Sequence, residues 1–94
     1  MTDYHNRREK YEHQDPTMYY ARDFGLIASL VIYGQDIVSY DVSEPKRVQV
    51  VFKKTKELLD LSKRYWEGDL PVYSLEFWNT IRSVKQSAFS QNIN

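Results

Sequence analysis

The stretch DIVSYDVSEPKRVQVVF, residues 36–52, decides the fold. Its two runs, Asp36 to Val42 and Arg47 to Phe52, are rich in Val, Ile, Tyr and Phe, and Ser43, Glu44, Pro45 and Lys46 separate them. That pattern predicts a β-hairpin. Register follows from the two-residue period of a strand. Pairing Val42 with Arg47 puts Val38, Tyr40 and Val42 on one face with Arg47, Gln49 and Val51. Pairing Val42 with Val48 instead gathers Val38, Tyr40, Val42, Val48, Val50 and Phe52. The second choice places six apolar side chains on one side, so a five-residue loop is predicted. The other face then carries Ile37, Ser39, Asp41, Gln49, Val51 and Lys53.

Helices flank the hairpin. Phe24, Ile27, Ala28 and Val31 recur at helical spacing within Arg22 to Tyr33, Leu30 widens the stripe, and Gly34 suits a left-handed cap. Strand alternation fails through Gly25 to Ile32, which favours helix there. A second helix begins after Thr55 as N-cap and runs to Trp66, burying Leu58, Leu61, Ser62 and Tyr65, with Gly68 as its stop. A third begins at Ser74 and buries Phe77, Ile81, Val84 and Ala88, with Tyr73 and Trp78 placed as a hydrophobic staple and a frayed end after Phe89. Trp66 and Trp78 lie beside buried stripes and are expected to pack in the core. The expectation is a small single α+β domain in the order helix, β-hairpin, helix, helix. Residues 1–16, polar and of mixed charge with Tyr4 and Tyr11 as their only sizeable side chains with apolar bodies, read as a flexible N-terminal extension to a compact domain over residues 17–94.

Composition narrows the function classes. The 94 residues are 41% hydrophobic and 28% charged, with eight Tyr and no Cys. That balance is globular and argues against disorder throughout, and the missing cysteines exclude thiolate catalysis, disulfides and Cys-based metal sites. Lys plus Arg and Asp plus Glu both number 13, so no global field draws the chain to nucleic acid or to a membrane. The longest apolar run, Gly25 to Tyr33, is far short of the roughly 20 residues that cross a bilayer. The N-terminus lacks the apolar core of a secretory signal. A cytoplasmic protein without a membrane partner is expected.

Catalytic and metal sites are not expected. His5 and His13 are too far apart for one helical turn, and solvated tail histidines account for them. Glu67 and Asp69 flank Gly68 and read as loop acids rather than an acid–base pair. No phosphate-binding glycine loop, dinucleotide fingerprint or nucleophile elbow occurs, so neither catalytic residues nor a cofactor are assigned. Basic side chains give the remaining signal: Arg82 and Lys85 sit three apart on the third helix, and Lys46, Arg47, Lys53 and Lys54 mark the hairpin ends. These six are the candidate nucleic-acid contacts.

Several segments together resemble a known family. Arg22-Asp23-Phe24 with Leu26 and Ala28, Gly34, Val50-Val51-Phe52, Tyr65-Trp66-Glu67-Gly68 and Ile81-Arg82-Ser83-Val84-Lys85 are similar to a bacterial and phage domain family of unknown function, number 5659. The resemblance covers about residues 19–89. It implies no activity and no site residues, only an uncharacterised domain found in phage or mobile-element gene sets. The family's acidic turn before the second helix is replaced here by Lys53-Lys54-Thr55-Lys56. The reading that follows is a non-enzymatic protein-interaction or self-association domain, with accessory nucleic-acid binding as the alternative. A two-stranded sheet leaves its edges and one face unpartnered, so a homodimer through Ile37 and Val51 is expected.

Overall fold

The computed structural model describes residues 14–44 and 46–93. Its elements are β1 (Met18–Ala21), α1 (Phe24–Ile32), β2 (Ile37–Asp41), β3 (Gln49–Lys53), α2 (Lys56–Trp66) and α3 (Ser74–Ile93). The α+β class and the three helices agree with expectation, but the order does not: a strand precedes the first helix. β1 pairs antiparallel with β3, Met18 opposite Lys53 and Ala21 opposite Val50. Among the described residues the sheet therefore has three strands in the order β1-β3-β2, and the predicted two-stranded ribbon is corrected. Four residues give a period of two too few repeats to register, and the pairing that stabilises β1 lies more than one helix away in sequence.

The hairpin register is as predicted near the turn, with Asp41 opposite Gln49, Tyr40 opposite Val50 and Ser39 opposite Val51. It then slips: Ile37 pairs with Phe52, and Val38 is the extra residue of a β-bulge. The bulge exchanges the expected roles of two neighbours. Ile37 turns to the core side and packs against the buried cluster, while Val38 is 53% exposed.

The core lies between one face of the sheet and the helices. Ala21, Val50 and Phe52 meet Leu26, Ile27 and Leu30 of α1, Leu58 and Leu61 of α2, and Val84 of α3. Every residue from Leu26 to Leu30 is buried, so α1 is the central helix, apolar on all sides because it touches β1, α2 and α3.

Local chemistry sets the helix ends. The Asp23 carboxylate accepts from the Leu26 N–H at 2.9 Å, and the Thr55 hydroxyl accepts from the Leu58 N–H at 3.0 Å. Gly34 and Gly68 adopt φ of 93° and 74°. In the turns they make, Gln35 N–H donates to Leu30 O and Asp69 N–H to Arg64 O, closing two Schellman caps. The third helix buries Ile81, Val84 and Ala88 as expected, but it continues to Ile93 where fraying was predicted. Tyr73 stays 83% exposed, so no staple forms, and Trp66 and Trp78 both lie on the surface rather than in the core.

Of the expected extension, Gln14 and Asp15 fold against the sheet. Asp15 Oδ1 accepts from the Thr17 N–H and hydroxyl at 2.8 and 2.7 Å, which holds its carboxyl below the usual carboxylate range, the hydroxyl contributing most. Asp15 N–H donates to the Tyr20 hydroxyl and Gln14 bonds to Gln49. His5, His13, Tyr4 and Tyr11 lie outside the described residues.

Candidate functional site

Three features bring together side chains that are distant in sequence. The first joins the start of α1 to the end of α2. Asp23 Oδ1, already capping Leu26, also accepts from the Tyr65 hydroxyl at 3.2 Å. Partial burial, and then the adjacent Asp23 charge and this hydrogen bond, raise the Tyr65 pKa above the ordinary tyrosine value. Gly25 lies directly beneath that hydroxyl: a Cβ there would collide with the Tyr65 oxygen. The Asp23 and Tyr65 segments, both similar to the family pattern, are thus one structural clamp, and its groups serve a helix cap.

The second feature is a groove of about 780 Å³ between α3 and β2. Val31, Ile37, Tyr40 and Val84 supply its apolar wall, Asn79, Thr80, Ser83 and Ser87 its short polar wall, and Tyr73 and Leu75 stand at one end. It exists because α3 packs on α1 and leaves the core side of edge strand β2 open. Leu75 is 74% exposed on its rim. Past Tyr73 and Glu76 a smaller hollow continues over Ile32, Tyr33, Pro71 and Val72.

The third is basic and aromatic. Arg22, Lys46 and Arg47 line a pocket of about 220 Å³ with Phe24, Val48 and Phe89. The Lys85 ammonium lies 5.4 Å from the centre of the Phe24 ring, and the Phe24 and Phe89 rings sit 6.2 Å apart at 46°. The α1–α3 packing creates this cluster, since Phe24 opens α1 and Lys85 and Phe89 lie one turn apart on α3.

The six basic candidates therefore do not form one patch. Lys46, Arg47 and Lys85 converge on the Phe24–Phe89 pair, and Arg82 is exposed one turn before Lys85. Lys53 and Lys54 lie at the opposite end of β3, where Lys53 pairs with Met18 and Lys54 N–H donates to Thr17 O. Six residues of extended chain put that end about 20 Å from Arg47. Arg22, Phe24 and Phe89 were not among the candidate contacts read from the sequence, although the four-residue spacing of Lys85 and Phe89 was visible in it. Ile37 and Val51 are likewise separated: Ile37 lines the groove, while Val51 faces the other side of the sheet between Tyr20 and Ser39 and is only 4% exposed.

Among the described residues no group of three or more His, Cys, Asp or Glu is placed to hold a metal ion, and no helix is long and apolar enough to cross a membrane. No curated protein and no solved structure matches the chain. A family model does, over residues 17–90, from the strand β1 through most of α3. The match spans all three features, and the chain belongs to the family described as Domain of unknown function (DUF5659).

Proposed function

We propose that this chain is a non-catalytic interaction domain that self-associates, the groove between α3 and β2 receiving the same region of a second copy. The observation that carries the reading is the open groove itself, about 780 Å³, with Tyr73 and Leu75 standing at its rim. Large apolar side chains grouped at a concave surface mark contact sites more often than solvated surface. A two-fold interface must be complementary to itself. Here a ridge, Tyr73 and Leu75, stands beside a trough walled by Val31, Ile37 and Tyr40, so the ridge of one copy can fill the trough of the other. Zero formal charge offers little colloidal repulsion against such contact. Of the two contacts expected from sequence, Ile37 keeps a place in this interface. Val51 has none, because its side chain is already covered.

The groups whose pKa is shifted support the non-catalytic reading: Asp15 organises a turn, and Tyr65 braces a helix cap. Light scattering on the full chain tests self-association. The expected result is a dimer at tens of micromolar that Leu75→Glu converts to a monomer. Ser83→Cys, in an otherwise cysteine-free chain, is expected to react more slowly with a maleimide as concentration rises. A monomer at high micromolar concentration, with Ser83→Cys labelling at one rate throughout, would overturn the proposal.

A further inference from the structure

We propose that Arg22, Lys46, Arg47 and Lys85, set around Phe24 and Phe89, form a binding site for single-stranded nucleic acid. The site is separate from the groove and does not depend on self-association. Four cations come from three elements: Arg22 from the β1–α1 link, Lys46 and Arg47 from the hairpin loop, and Lys85 from α3. All four are exposed. Asp23, the carboxylate next to Arg22, turns its Oδ1 to the Leu26 N–H and the Tyr65 hydroxyl, so one negative charge stands against these four cations.

The aromatic pair decides between ligand classes. Phe89 is 49% exposed although its ring packs obliquely on Phe24, so one of its surfaces remains open beside the cations. Cations alone would suit any polyanion. An open ring next to them adds a stacking platform for an unpaired base, the combination by which single strands are held without sequence preference. A duplex gains nothing from that ring, because its bases already stack on one another. The Lys85 ammonium over the other ring, that of Phe24, fixes one phosphate-binding group relative to the platform.

Titration of the full chain with a fluorescent oligothymidine tests the site. Four phosphate contacts on a single strand predict that affinity falls about fifty-fold between roughly 50 and 200 mM salt. Phe89→Ala is expected to weaken binding roughly 5- to 100-fold. Arg47→Glu, at an exposed position that leaves the fold intact, is expected to weaken it at least about tenfold, whereas Lys53→Glu at the far end of β3 stays within about twofold. Absence of binding, equal losses from Lys53→Glu and Arg47→Glu, or a duplex bound as well as the single strand with Phe89→Ala silent would each overturn the proposal. So would binding to phosphatidylserine vesicles without binding to the oligonucleotide.

Discussion

Gly25 shows how one missing methyl group can serve two helices. It occupies the first turn of α1, where alanine would ordinarily be favoured by about 1 kcal/mol. A Cβ at this position meets the Tyr65 hydroxyl and comes within 3.1 Å of Asp23 Oδ1. The ring can swing aside only by giving up its hydrogen bond to Asp23, a loss of about 0.5–1.5 kcal/mol. Gain and loss nearly cancel, so Gly25→Ala is expected to change stability by less than about 0.5 kcal/mol in the native background. With Tyr65→Phe the obstructing oxygen is gone, and the same substitution should stabilise by up to about 1 kcal/mol. Urea denaturation of the four members of this cycle measures the coupling. Equal effects in both backgrounds would mean that the clamp does not constrain Gly25.

Among the elements, β2 carries the clearest discrepancy between pattern and structure. Strict alternation assigned Val38 to the core and Ile37 to the outer face, and the bulge reverses them. Ile37→Ala is accordingly expected to cost about 1–2 kcal/mol, less than a fully buried isoleucine because the side chain also borders the groove. Val38→Ala should stay within about 0.5 kcal/mol. Denaturant midpoints for the two variants check this, and reversed costs would place β2 in the unbulged register. What was legible in the sequence is what local chemistry decides: Thr55 as a cap, Gly34 and Gly68 as stops, the buried stripe of α3 and the register beside the turn. What was not legible depends on partners distant in sequence. β1 is too short to show a period and exists through β3. The bulge lies at the start of β2, away from the turn that sets the register. The basic cluster was half visible, since Lys46, Arg47 and Lys85 could be named individually. Their convergence on Phe24 and Phe89 required the packing of α1 against α3. Trp66 and Trp78 were misplaced for a related reason: a position beside a buried stripe becomes core only if a neighbouring element covers it, and none covers these.

At the scale of the whole molecule, the strand order β1-β3-β2 has a consequence in time. Tyr40 and Val50 pair across a short turn, whereas Met18 and Lys53 can meet only after α1 and the hairpin have been laid between them. Closing the longer loop costs about 1 kcal/mol more in chain entropy, before any contact rewards it. The hairpin is therefore expected to belong to the folding nucleus and β1 to dock afterwards. Val48→Ala, beside the turn, should slow folding, while Tyr19→Ala, which removes the β1 hydroxyl that meets Ser62 at 2.6 Å, should mainly speed unfolding. Stopped-flow chevrons separate the two cases, and a Tyr19→Ala effect confined to the folding limb would reverse the order. On the ribosome, β1 emerges ahead of the strand it needs and waits unpaired until β3 follows, so of these three strands the one synthesised earliest is the last to find its place.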